Sequence, residues 1–275
     1  SFLQFMNHYD IIRKVFQHES RSFKTYIVRN VLMKKDYFLT VYFLKHYFKN
    51  KEELCYRLIK ICQNIKYFRC CELFFDHDIR SLKAIRPSNL GLILNNFFVV
   101  EPLQMLSLSD YFDLGNVDQD VLYNGFLDIY QTLRKLHNKN FAYGCLSPLN
   151  IIVANDTFAL RAPSLLNFRC GNSPAPIVSR KQYRYKTELE KYPHDFSCPN
   201  SLTIDMICFG CLLCDYILSP GCNLSFKIRK NLHQIDKIAD LYNLPSFIIS
   251  FLDPKCDIFC DEASESELQH FLIEN

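Results

Sequence analysis

The chain has 275 residues, enough for one large core or for two lobes joined in a single domain. Apolar residues make up 49% and charged residues 22%, with 24 Phe and 16 Tyr, which excludes an intrinsically disordered chain. A net charge of only +3 excludes a surface given over wholly to nucleic acid or acidic membrane, so any basic site must be local.

Residues 9–48 alternate short apolar runs with polar clusters, "YDIIRKVF", "FKTYIVRNVLM" and "DYFLTVYFLKHYF", and their β-branched and aromatic content predicts strands in a meander. Residues 51–66 place Leu54, Leu58, Ile61 and Ile65 at helical spacing, which predicts a helix with one buried face. "CCELFF" and "LGLILNNFFVVE" read as further strands. The character changes from residue 116. Leu122, Phe126, Ile129, Leu133 and Leu136 form an unbroken helical stripe, with Asp118 and Asp120 at its start and Arg134, Lys135 and Lys139 at its end, complementing the helix dipole. Residues 204–218 are apolar almost all round, which predicts a helix buried on every side. In "SESELQHFLI" Ser264 and Glu267 have capping-box spacing for a closing helix.

This order, and the words inside it, resemble a protein kinase domain over nearly its whole length. "VVEPLQMLSLSDYF" is similar to the end of a kinase small lobe, its hinge and the helix after it. "LRKLHNKNFAYGCLSPLNIIV" is similar to the long helix that leads into the catalytic loop and the strand beyond. "SLTIDMICFGCLL" resembles the buried central helix with its Asp, here Asp205, and "FLDPKCD" with "SELQHFL" the closing helices. Five such words in order are specific where each alone is weak.

The resemblance implies a set of chemical groups, and the matching positions lack most of them. A kinase neutralises phosphates with a glycine-rich loop, a strand Lys paired to a helix Glu, metal-binding residues and a catalytic Asp. The three glycine positions correspond to His18, Ser20 and Phe23, and side chains there keep backbone amides away from phosphate. The strand Lys corresponds to Thr40, and its partner Glu to Arg57 or Leu58. The His-Arg-Asp triplet reads Tyr143, Gly144 and Cys145, and the loop Lys is Ser147. The metal-binding Asn150 remains, but Ala162, Pro163 and Ser164 stand where Asp-Phe-Gly would be, and a neutral amide without a carboxylate partner does not hold magnesium against water. Phe38 stands where a small residue packs on adenine, so its ring is expected to fill that space, with a core aromatic turned elsewhere as the alternative. Glu101 is read as structural. Asp205 is expected to keep an architectural role, accepting hydrogen bonds from the loop backbone, and its loss to cost about 1–3 kcal/mol.

Other candidates weigh against simpler readings. Thirteen cysteines, an odd number set in apolar runs such as "MICFGCLLCDYIL", imply a reducing compartment. Cys208, Cys211 and Cys214 have metal-ligand spacing but sit in one apolar helix without a second ligand cluster, so packed thiols are expected. Cys145 lacks a neighbouring basic group to activate it. Arg180, Lys181, Arg184 and Lys186 interleave with Tyr183 and Tyr185, a composition suited to an anion or partner patch, with a solvated loop as the alternative.

The expected fold is α+β and bilobed protein-kinase-like, with a β-rich small lobe and hinge over 1–105 and a helical large lobe over 106–275. The resemblance implies a catalytically inactive pseudokinase, a protein-interaction scaffold or allosteric module within a larger protein. "CLSPLNIIV" narrows it toward TBC-domain kinase-like and SCY1-like pseudokinases. The alternative is a divergent kinase-fold, nucleotide-dependent transferase, for which Asn150 is the best support. No cofactor, metal, ATP binding or nucleic acid is expected, no apolar run reaches the roughly 18 residues of a membrane span, and the expected setting is cytoplasmic, with protein partners.

Overall fold

A computed structural model describes residues 7–19, 22–47, 51–77, 81–103, 105–144, 146–163, 165, 201–220, 224–230, 234–253 and 262–274. The protein is mixed α+β, with a sheet-rich N-terminal region and helices later. It divides into two compact units, Ser1–Met105 with Leu160–Val178 and Leu106–Ala159 with Ser179–Asn275.

The first unit is built on five strands. They are β1 (Tyr9–Glu19), β2 (Phe23–Asn30), β3 (Asp36–Phe43), β4 (Glu72–Phe75) and β5 (Asn96–Pro102), in the order β1-β2-β3-β5-β4, every pair antiparallel. Alternation of side chains gives the sheet two faces. One packs Tyr9, Val28, Tyr37, Leu39, Val41, Phe98 and Val100 into a core. The other carries a row of rings in register, Phe23, Tyr42, Phe97 and Phe75, with successive centroids 6.2, 6.2 and 5.0 Å apart. Helix α1 (Lys51–Gln63) buries Leu54, Leu58 and Ile61 completely, as its spacing requires.

Three boundaries differ from the sequence reading, each for a local reason. The run "VLM" does not extend β2, because Asn30 Oδ1 accepts from Leu32 N and Met33 N and closes a turn. Helix α1 stops at Gln63, where the Asn64 side chain donates to the Lys60 carbonyl, and Ile65 opens a short 3-10 turn. "LGLIL" is a turn as well: Gly91 has φ 82°, and the Asn89 carbonyl gathers the amides of Leu92, Ile93 and Leu94.

The second unit begins with β6 (Leu106–Ser107) and α2 (Leu108–Asp113). Then come the long α3 (Gln119–His137), β7 (Ile151–Ala154) and β8 (Thr157–Leu160). It closes with α4 (Ser201–Leu213), α5 (Leu224–Lys230), α6 (Ile235–Tyr242), α7 (Ser246–Leu252) and α8 (Glu262–Glu274). Asp118 caps α3, accepting from Asp120 N and Val121 N, and all five residues of the apolar stripe are buried. A Cβ at Gly125 would run into the Phe158 ring, so only glycine admits that contact.

The core of this unit is α4 against α3 and α7. Phe209 meets Phe126 at 6.1 Å, Tyr130 at 5.7 Å and Phe251 at 5.9 Å. The buried helix expected over 204–218 ends at Leu213, and residues Cys214–Leu218 form a wider π turn in which Asp215 accepts from Ser225 N and Oγ. A carboxylate in an apolar run needs donors, and α5 supplies them. Helix α8 is held to α3 by Glu265, which meets Gln131 and Arg134. Since α8 begins at Glu262, Ser264 lies inside its first turn and does not cap it. Among the described residues, no helix is long and apolar enough to cross a membrane.

Candidate functional site

Two polar constellations stand out, one in each unit. In the second unit, α3 ends at His137, and the chain turns through Asn140, at φ 51°, into an extended stretch that buries Phe141, Ala142 and Tyr143. Against that stretch lies Asp205 of α4, with no exposed surface. Its Oδ2 accepts from Tyr143 N at 2.7 Å and lies 3.0 Å from His137 Nε2, while its Oδ1 accepts from Gly144 N at 2.7 Å. Gly144 has φ 77°, which a side chain would oppose, so glycine is what lets this amide reach the carboxylate. A carboxylate with two backbone donors and a buried imidazole is held by its surroundings and offers no oxygen to solvent. The arrangement anchors a loop.

The turn beyond it runs over 147–150, where Asn150 N donates to the Ser147 carbonyl and Ser109 N to that of Pro148. Asn150 is buried. Ser147 is 1% exposed, and its hydroxyl has no hydrogen-bond partner among the described residues. A buried hydroxyl without a partner costs about 1–3 kcal/mol. Ser147→Ala is therefore expected to raise the melting temperature by about 2–4 °C, and a lower melting temperature would show that the hydroxyl is satisfied in solution.

In the first unit, the constellation lies on the sheet face that carries the ring row. Thr40 stands opposite Thr25 and Val99, with the two threonine hydroxyls 3.4 Å apart. Phe38, half-buried, stands opposite Ile27 and Glu101. Glu101 is 3% exposed, and Arg161 grips it with a two-pronged fork, Nε to Oε1 at 3.0 Å and Nη2 to Oε2 at 2.6 Å. Arg161 is placed by its neighbour, since Arg69 N donates to the Leu160 carbonyl. Ala162 follows half-buried and Pro163 buried. The sequence alone marks Glu101 as structural and does not name its partner. The signal was there: a lone acid in "FFVVEP" must find a cation if it is buried, and "FALR" ends on one.

Phe23 is buried within the ring row and Tyr143 is fully buried. His18 lies in β1, where only its backbone is described, while Ser20, Cys145, Ser164, Arg180, Lys181, Arg184 and Lys186 lie outside the described residues. On α1, Arg57 and Leu58 are both buried.

Burial pushes the Cys55 thiol up to about 11 and those of Cys62 and Cys70 to about 12, and holds Cys214 well above the ordinary value. These thiols are protonated near neutrality and are poor nucleophiles or metal ligands. Among the described residues, no group of three or more His, Cys, Asp or Glu is arranged to hold a metal ion.

No protein-family model matches the chain, and no curated protein matches it.

Proposed function

We propose that this chain is a catalytically inactive, protein-kinase-like domain that acts in the cytosol as a scaffold for protein partners. The reading rests on the resemblance in motif order, and one observation carries its chemical half. On the sheet face where the resemblance sets the phosphate-binding lysine and the adenine contact, the residues are Thr40 and Phe38, and beside them the Glu101 carboxylate is neutralised by Arg161 of the same unit. A nucleotide there would meet a hydroxyl already paired with Thr25 and an aromatic ring in place of open space. Phosphoryl transfer depends on several charges acting together, so losing Lys, both Asp residues and the glycines at once leaves no partial catalyst. The anchoring of the loop by Asp205 suits a domain that keeps its architecture for binding.

A ligand that binds only the native state raises the melting temperature once its concentration exceeds its dissociation constant. Titration with millimolar ATP, with and without magnesium, is expected to leave the melting temperature unchanged. A dose-dependent rise that requires magnesium and is lost in Asn150→Ala would replace this proposal with the transferase. A rise without magnesium would make nucleotide a structural ligand and overturn the occluded site.

A further inference from the structure

The turn between β2 and β3 reverses the usual chemistry of a turn. Tight turns favour Gly, Asn, Asp and other polar residues. Here three consecutive apolar residues occupy it, Val31, Leu32 and Met33, with 44%, 79% and 59% of their surfaces exposed. Lys34 and Lys35 follow, both exposed.

Five hydrogen bonds close the turn and tie it to the preceding segment. Asn30 Oδ1 accepts from Leu32 N at 3.1 Å and Met33 N at 2.8 Å, Lys34 N donates to the Asn30 carbonyl, and Asn30 N donates to the Lys35 carbonyl. Val31 N is bonded to the His8 carbonyl. Lys34 adopts φ 51°, the left-handed region that favours Gly or Asn, so the lysine is kept against a local steric cost. At the base of the turn Arg29 and Asp36 neutralise each other through two bonds of 2.7 and 3.1 Å, and among the described residues Lys34 and Lys35 beside the apolar tip form no ion pair. On the neighbouring strand, Ile11 and Ile12 are also about half exposed, and Ile11 stands in register with Val28, near the same end of the sheet.

We propose that this hairpin tip is a contact for anionic lipid surfaces: Val31, Leu32 and Met33 enter the boundary between headgroups and acyl chains while Lys34 and Lys35 meet the headgroup charge. Shape and charge favour a bilayer over a protein. A narrow convex turn offers far less than the roughly 800 Å² per partner of a stable protein interface, and lysine is depleted from the centres of such interfaces. A bilayer accepts a convex apolar wedge, and lysine stems lie along apolar surface with the ammonium kept at headgroup level. The two contributions are each modest, so binding should require both apolar insertion and anionic lipid.

The test is flotation of the purified chain with vesicles of phosphatidylcholine alone or with about 30% phosphatidylserine, the latter supplying the anionic surface. Binding is expected to the anionic vesicles, and weakly or not at all to the neutral ones. Leu32→Ser with Met33→Ser is expected to weaken it by about tenfold. Lys34→Asn with Lys35→Gln should weaken it by about fivefold or more, and Asn suits the backbone at position 34. All four residues are exposed, and the Met33 sulfur accepts a hydrogen bond of 3.7 Å from the Tyr37 hydroxyl, so the lysine variant should melt with the parent and the Leu32→Ser with Met33→Ser variant slightly below it. Binding that is equal on neutral and anionic vesicles, or unchanged in both tip variants, overturns the proposal. So does the absence of vesicle binding by the parent chain.

Discussion

Asp205→Ala is expected to lower the melting temperature by about 10 °C, through a cost of about 3–5 kcal/mol. The residue has no exposed surface, and its two oxygens serve Tyr143 N, Gly144 N and the His137 ring. Removing the carboxylate takes the acceptor from two amides and the partner from the imidazole together, with Tyr143 and His137 buried and Gly144 half-buried. One orphaned donor alone would give the smaller figure expected from sequence; three groups raise it. A second variant separates this from simple loss of volume. His137→Phe should cost less on the Asp205→Ala background than on the parent, since the two share one network. An unchanged melt for Asp205→Ala, or strictly additive effects, would mean that the loop is held by other contacts.

The second large effect concerns Glu101 and Arg161. Arg161→Met leaves a carboxylate that is almost fully buried without its cation, and breaking such a pair from one side costs about 3–5 kcal/mol when both partners are buried. The Arg161 side chain is 33% exposed, so solvent screens part of that, and a loss of about 2 kcal/mol is expected, near 5 °C in the melt. Replacing both residues, with Glu101→Leu and Arg161→Met, removes the buried charge as well as its partner and should recover most of the loss. If the single variant melts with the parent, the pair is not formed in solution. If the double variant melts as low as the single one, the loss arises from packing.

The elements were legible wherever one local pattern governed them. The stripe from Leu122 to Leu136 lies on one side of α3, and Asp118 caps that helix, because both periodicity and capping act within a few residues of the chain. The same holds for Leu54, Leu58 and Ile61 on α1. Boundaries were less legible. "VLM" and "LGLIL" have strand composition, yet the bonds of Asn30 and Asn89 draw them into turns.

What the sequence by itself determined is therefore the run of strands followed by helices, the faces that must be buried, and the isolated carboxylates, Glu101 and Asp205, that burial would oblige to find donors. Only the tertiary structure decided which donors. Arg161 is 60 residues from Glu101, and His137 is 68 from Asp205. Composition states that a buried charge needs a partner, because the desolvation of an unpaired one is too costly. The path of the chain, set by the packing of the whole apolar core, selects which of the available cations and amides arrives within 3 Å.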